Sequence, residues 1–295
     1  MTNPEPIVED PWTVGRLLTW TADYLKAKGA ESPRLDAEVL LAHVLKWPRV
    51  QLYTHFQDVI AEASRSAFRG LVKRRAGGEP VAYLVGKKEF FSLPMAVDRS
   101  VLIPRPDTEV LVVEVLSRLK GKGAARVLDL GTGSGCVALA VAKSLPEARV
   151  VATDLSEAAL GVARGNATSL GLSGRIEFRQ GDLYEAIYDQ EPFDVIASNP
   201  PYIATADIPG LEAGVRDHEP HSALDGGPDG LRVVARLVEG APTWLATGGH
   251  LLLEIGSSQE SAVRGLIEAE PRLALGPTIR DAANHPRVVV ATLKP

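Results

Sequence analysis

The chain holds 295 residues, long for a single core, with 45% hydrophobic and 23% charged residues, the balance of an ordinary soluble protein of about two domains. A net charge of −5 argues against a protein that coats nucleic acid through a basic face, and a lone cysteine, Cys136, rules out an internal disulfide framework. No run of about 18 apolar residues is present to span a membrane, and the opening MTNPEPIVEDPW is acidic and proline-rich with no apolar signal core, so a cytoplasmic protein is expected.

In chain order, residues 1–80 read as helical. Val14, Leu17, Leu18, Thr21 and Leu25 fall at i, i+3, i+4, i+7 and i+11, one stripe of a helix that Gly29 stops. Ser32-Pro33 reads as an N-cap with proline at the first helical position, opening a helix through Leu35, Val39, Leu40 and Leu45. Phe68, Leu71, Val72 and Arg75 repeat the pattern until Gly77-Gly78. Lys73-Arg74-Arg75 at that end is either a solvated helix terminus or a contact for an acidic partner. A small helical bundle with short connections follows from this spacing.

Residues 81–104 change character. In VAYLVGKKEFFSLPMAVDRSVLI (81–103), apolar residues alternate around Ser92 and Pro94, which predicts a hairpin-like linker. Over 105–295 the grammar becomes strand, loop, helix. VLDL (127–130), VVATD (150–154), IEF (176–178), FDVIAS (193–198), HLLLEI (250–255) and VVVATL (288–293) read as short apolar strands. Helices are predicted through VALAVA (137–142) and over 156–167. Such alternation predicts an α/β domain with a mostly parallel, doubly wound, Rossmann-like sheet.

Between the first of these strands and its helix lies Gly131-Thr132-Gly133-Ser134-Gly135. Glycines there let the backbone turn tightly and approach a ligand near helix N–H groups. A dinucleotide fingerprint would put its third glycine where Cys136 stands, so the spacing counts against NAD without removing it. Asp154 closes the next strand, suited to accept hydrogen bonds from two ribose hydroxyls. Asp182, after the third strand, suits an adenine amino group, with Leu183 packing on the ring. Singly, the glycines make a tight turn and Asp154 a helix N-terminal charge. Together and in this order they describe a site for an adenosine-containing cofactor.

IASNPPYIAT (196–205) ends a buried strand on a stiff corner. Each proline lacks a backbone N–H and disfavours helix at the residue before it. Asn199 offers a side-chain carbonyl, Pro200 a backbone carbonyl whose direction Pro201 presets, and Tyr202 a flat ring. A bare Asn-Pro is an ordinary turn former; Asn-Pro-Pro-Tyr after a hydrophobic strand and downstream of a glycine loop is more specific.

VLDLGTGSG, ATD and NPPY in this order resemble class I methyltransferases that use S-adenosylmethionine, NPPY being the signature of enzymes that methylate amino or amide nitrogens. LIPRPDTEVLVVE (102–114) looks like the P-R-P-[ED]-T-E segment of the release factor glutamine methyltransferases (the PrmC/HemK family), and HEPHSALDGGPDGL (218–231) resembles another segment of that family. The resemblance runs from about Trp12 to Leu293. It implies a seven-stranded catalytic domain, S-adenosylmethionine as methyl donor with S-adenosylhomocysteine as product, and class I peptide chain release factors as protein substrate. It also implies that the helical domain recognises the substrate and that Asn199, Pro200, Pro201 and Tyr202 hold its glutamine. No stable nucleic-acid partner, membrane or metal is expected. A nucleic-acid amino-methyltransferase and a non-catalytic adenosine-nucleotide binder are the competing readings. Two departures stand out: Ala283 where the family often has glycine, and Leu183 where several relatives carry tryptophan.

Among the remaining candidates, Arg105, Asp107 and Glu109 form either a lid over the cofactor or a solvated loop. His218, Glu219 and His221 lack the spacing of a helix-face metal pair and fit a structural loop better. Cys136 suits core packing.

Overall fold

The computed structural model describes residues 11–295; residues 1–10, most of the acidic N-terminal stretch, lie outside the described residues. The chain divides into two units that part between Val85 and Gly86.

The first unit is helical: α1 (Val14–Ala27), α2 (Pro33–Leu45), α3 (Gln51–Thr54), α4 (Glu62–Ala76) and α5 (Val81–Val85). The stripe Val14, Leu17, Leu18, Thr21, Leu25 is buried, and Thr13 caps α1 by accepting from the Arg16 N–H at 3.2 Å. In α2, Ser32 holds the N-cap position without a side-chain capping bond, and Pro33 begins the helix. The predicted helix is present; Leu35 is exposed while Ala37, Leu40 and Leu41 are buried. Asp36 and Glu38 share that burial, which is tolerable only because cations meet them. Arg75 bonds Asp36 at 2.7 Å and Arg34 bonds Glu38 at 2.8 Å. Arg74 grips Glu79 through two bonds of 2.8 and 2.7 Å, so two of the three basic residues at the end of α4 face acids of their own unit.

Residues 81–85, read as the start of a strand-like linker, are helix α5 instead. Val81, Leu84 and Val85 pack into the helical core, and their i, i+3, i+4 spacing wins over the alternation that Val81, Tyr83 and Val85 also offer. The hairpin comes next, in the second unit: β1 (Lys87–Phe90) pairs antiparallel with β2 (Leu93–Ala96). Its two-residue turn, Phe91-Ser92, has φ of +49° and +59°, the left-handed geometry that tight hairpins require.

The rest of the second unit is α6 (Glu109–Arg118), β3 (Arg126–Leu130), α7 (Cys136–Ser144), β4 (Arg149–Asp154), α8 (Glu157–Ser169), β5 (Ile176–Gln180), β6 (Phe193–Ser198), α9 (Ala213–Arg216), α10 (Arg232–Trp244), β7 (Leu245–Glu254), α11 (Glu260–Ala269), β8 (Leu273–Arg280) and β9 (Pro286–Leu293). Seven strands form one sheet in the order β5-β4-β3-β6-β7-β9-β8. The first five are mutually parallel, while β9 runs antiparallel to β7 and β8 antiparallel to β9. Alternate residues of each strand serve opposite faces. Val127 joins a core with α6, α7 and α8, and Leu128 joins one with α10 and α11. The expected Rossmann-like sheet with helices on both faces is present. Strand β8 had no clear signal because Gly276-Pro277 interrupts LALGPTIR; the ladder absorbs them with a register shift between Leu275 and Thr278.

The order places β3 at a switch point. The chain leaves β3 for β4 and β5 on one side, then crosses to β6 and β7 on the other. A crevice must open beyond the carboxyl ends of those strands, where the connecting loops diverge.

Candidate active site

A crevice of about 570 Å³ lies there, within the volume range of small-molecule sites. Gly131, Thr132, Gly133 and Ser134 form part of its wall, with Asp154, Asp182, Leu183, Asn199 and Pro201. The predicted residues Gly135, Pro200 and Tyr202 are outside that wall.

The glycine loop turns because Gly131, Gly133 and Gly135 take φ of +72°, +55° and +82°. It is also held from behind. The Gly131 and Thr132 N–H groups donate to the Thr153 carbonyl at 2.9 and 2.8 Å. Beneath it Asp129, 2% exposed, accepts from the Thr132 hydroxyl at 2.6 Å and the Ala138 N–H at 3.1 Å. Burial pushes the Asp129 carboxyl up to about 6, with Thr132 and Ala138 pulling it down and the charge of Asp154 adding to the rise. Asp154 accepts from the Gly133 N–H at 2.8 Å through Oδ2 and from the Ser156 N–H at 2.9 Å through Oδ1. Its carboxyl is raised by burial, against those same bonds. Asp182 is gripped by the Arg236 guanidinium at 3.1 and 3.0 Å, a partner with no signal in the sequence. Leu183 stands next to it with φ of +52°.

At the corner, Ser198 donates to the Leu130 carbonyl at 2.7 Å, fixing the end of β6 to the end of β3. Asn199 Nδ2 donates to Thr108 Oγ1 at 3.1 Å, which leaves its carbonyl oxygen uncommitted to that bond. Segment 224–230 braces the residues that follow. Ile203 N–H donates to the Leu224 carbonyl at 3.0 Å, and Gly226 N–H returns to the Ile203 carbonyl at 2.8 Å. Gly230, at φ +75°, comes so near that a Cβ there would lie 2.3 Å from the Tyr202 carbonyl oxygen. Gln259 donates to that oxygen at 2.9 Å. Burial, together with the charge of Glu254, pushes the Tyr202 hydroxyl up to about 12, so it stays protonated.

The segment around Arg105 is pinned rather than loose. Arg105 pairs with Glu219, whose Oε2 also accepts from the Ile103 N–H at 3.1 Å. Asp107 pairs with Arg287 at 2.8 Å, and Glu109 accepts from the Phe91 N–H at 2.9 Å, which supports the hairpin turn. His221 Nε2 meets the Arg216 carbonyl at 3.1 Å, and no cluster able to hold a metal occurs among the described residues. Cys136 packs against a core cluster, burial pushing its thiol up to about 12. In the 281–285 turn the left-handed position is Asn284, at φ +65°, so Ala283 is not strained by lacking glycine's freedom.

Sequence reasoning passed over Asp129, Thr108 and Glu254. The first two lie inside motifs already quoted. Glu254 had a signal too, as a carboxylate closing the apolar run HLLLE.

The PrmC N-terminal domain family matches residues 16–86, and the methyltransferase small domain family matches residues 107–210. The chain is 46% identical over 285 residues to a release factor glutamine methyltransferase of Rhodopirellula baltica, covering 95% of this chain and 96% of that protein. It is 47% identical over 255 residues to one of Geobacter sulfurreducens, covering 86% and 88%. A solved methyltransferase of Pyrococcus furiosus, 19% identical, shares the fold with a TM-score of 0.50 over 75% of this chain and 96% of its own. Identity of this extent over nearly the whole length settles the kinship: this chain belongs to the release factor glutamine methyltransferase family.

Proposed function

We propose that the protein transfers a methyl group from S-adenosylmethionine to the side-chain amide nitrogen of the glutamine in the Gly-Gly-Gln loop of class I peptide chain release factors. The observation that carries this reading is that Asn199 and Pro201 share one crevice wall with the glycine loop and Asp154. The names of the relatives supply the acceptor protein.

The wall residues suit an adenosine-bearing cofactor. Each Asp154 oxygen accepts one backbone N–H and keeps a second lone pair, enough for two ribose hydroxyls. Asp182 keeps one lone pair per oxygen beyond its grip by Arg236, suited to an adenine amino group, with Leu183 beside it. When bound, S-adenosylmethionine supplies an already activated methyl group on a sulfonium.

The corner's work is then to hold a poor nucleophile. An amide lone pair is delocalised, and full loss of that resonance costs on the order of 18–20 kcal/mol, taking the peptide rotation barrier as a guide. Two hydrogen bonds contribute only about 0.5–1.5 kcal/mol each. Holding the reacting atoms in line contributes up to about 7–11 kcal/mol, so positioning is the larger effect. Asn199 Oδ1 and the Pro200 carbonyl accept the two amide hydrogens, Pro201 keeps that carbonyl's direction preset, and Tyr202 flanks the planar amide. As the N–C bond forms and the S–C bond breaks, the nitrogen becomes acidic and sheds one proton to water, so no strong base is needed. The helical unit, residues 1–80 in the sequence reading, holds the release factor in this scheme. The net charge of −5 favours a protein over a nucleic acid as acceptor, and the lone Cys136 suits the cytoplasm.

Mass spectrometry of a release factor incubated with the protein and S-adenosylmethionine tests the proposal. One added methyl on the glutamine of Gly-Gly-Gln is expected, and transfer to DNA or RNA instead would overturn it. Asn199→Ala should lose methyl transfer by at least about 10²-fold while binding the cofactor as the wild type does.

A further inference from the structure

The turn that follows β7 is closed by one side chain. Gln259 takes the N-cap position of α11, yet its carboxamide makes no capping bond to that helix. It folds back instead: Oε1 accepts from the Gly256 N–H at 3.0 Å, while the Gln259 N–H donates to the Gly256 carbonyl at 2.9 Å. These reciprocal bonds hold the side chain against its own turn. The NH₂ end then reaches out of the element, donating to the Tyr202 carbonyl at 2.9 Å and to the Gly230 carbonyl at 3.3 Å.

That carboxamide has only one orientation available. A backbone N–H only donates and a backbone carbonyl only accepts, so a reversed amide would lose all three bonds and set like groups face to face. Its partners belong to three separate segments: the corner, the 226–230 turn and the turn after β7. These segments press closely together. A Cβ on Gly230 would stand 2.7 Å from Gln259 Nε2, one on Gly226 2.7 Å from the Pro201 carbonyl oxygen, and one on Gly256 3.5 Å from Cδ2 of the Tyr202 ring. Gln259 thus grips Tyr202 by its main-chain oxygen and also holds the glycine that abuts its ring. We propose that Gln259 is a positioning residue for methyl transfer, fixing the Tyr202 end of the corner so that Asn199, the Pro200 carbonyl and the Tyr202 ring meet the acceptor amide in register. This rests on the reading of the corner as a holder of an amide substrate.

The prolines stiffen the corner only as far as Pro201, since each fixes its own φ and restricts the residue before it. Tyr202 precedes Ile203, so the direction of its carbonyl is left to hydrogen bonds. The peptide between them is held on both sides, its N–H by the Leu224 carbonyl at 3.0 Å and its carbonyl by Gln259. A glutamate at 259 would keep the bond from Gly256 but turn an acceptor against two carbonyl oxygens. Those dipoles and partial burial disfavour its charged form, and once protonated it donates to one of them. The defect of such a variant shrinks as the pH falls, which a general loss of packing would not produce.

The test compares single-turnover methylation of a release factor by the wild type, Gln259→Met and Gln259→Glu between about pH 5.5 and 8.5, with cofactor affinity measured alongside. Methionine keeps the length and bulk but not the hydrogen bonds, so Gln259→Met should lower the rate about 10²-fold with cofactor affinity unchanged. Gln259→Glu should be as slow at the alkaline end, and its rate relative to the wild type should climb at least about tenfold toward the acid end. A Gln259→Met protein that turns over as the wild type does would overturn the inference. So would a ratio of Gln259→Glu to wild type that stays flat with pH, or a loss of cofactor affinity in both variants that matches the loss of rate. Those outcomes spare the proposed function, whereas a wild type that labels no release factor sinks both.

Discussion

The buried carboxyl of Glu254 carries a stability cost that depends on pH. Its folded value stands at about 7 against an ordinary 4.5, because burial penalises the charged form. A group raised on folding contributes stability that is complete below about 4.5 and is lost as the pH climbs through about 7. Glu254→Gln should therefore gain stability over the wild type at pH 8 relative to pH 5, by roughly 2–3 kcal/mol. Urea unfolding at the two pH values checks this, and an equal difference at both would refute it. Gly230→Ala works in the opposite direction. With φ at +75° and a new Cβ 2.3 Å from the Tyr202 carbonyl oxygen, it should cost about 2–4 kcal/mol and weaken methyl transfer by displacing the corner. At this scale, Asn199 and Asp154 were legible because an amide after a strand and an acid at a strand end are conspicuous beside glycines and prolines. Thr108 was not, because its meaning comes from a contact 91 residues away in sequence.

Elements follow the same division between local and distant causes. Helix α1 was readable since one stripe of side chains decides it. Helix α2 forms where Ser32-Pro33 opens it, but the burial of Asp36 and Glu38 beside an exposed Leu35 depends on their partners Arg75 and Arg34, which the apolar spacing does not announce. Helix α5 and strand β8 escaped because five residues fit two periods and because Gly276-Pro277 breaks a run. The hairpin turn contradicts local preference outright. Phe91 and Ser92 occupy left-handed backbone that non-glycine residues avoid, and Glu109 secures it by accepting from the Phe91 N–H. Ser92→Gly should relieve part of that strain and stabilise the unit by about 0.5–1 kcal/mol, seen as a higher urea midpoint at unchanged slope.

Across the whole molecule, the buried side chains gather into one cluster confined to the helical unit and two on the faces of the sheet. Each unit thus has a hydrophobic interior of its own, and the second contains every residue of the crevice wall. A protein beginning at Gly86 should fold and bind S-adenosylmethionine like the full chain, yet methylate a release factor far more slowly. Calorimetric titration and a labelling assay on the same preparation would separate the two properties. Equal labelling rates would show that the helices do not serve recognition. The overall class was legible in the sequence because strands, glycines and helices alternate in order, whereas the crossing from β5 to β6 that opens the crevice is a property of pairing and leaves no local mark.

Asn166 joins two segments that lie far apart in the chain. Its buried carboxamide bonds the Ala96 N–H at 2.7 Å and the Ala96 carbonyl at 3.0 Å, and also the Ser134 carbonyl at 2.9 Å. One amide on α8 therefore rivets the last residue of the hairpin to the glycine loop of the crevice wall. Truncating it to alanine would orphan main-chain groups in both places together, so the two segments should begin to exchange their amide hydrogens with solvent in step, and ligand saturation should slow that exchange in the hairpin as well as in the loop.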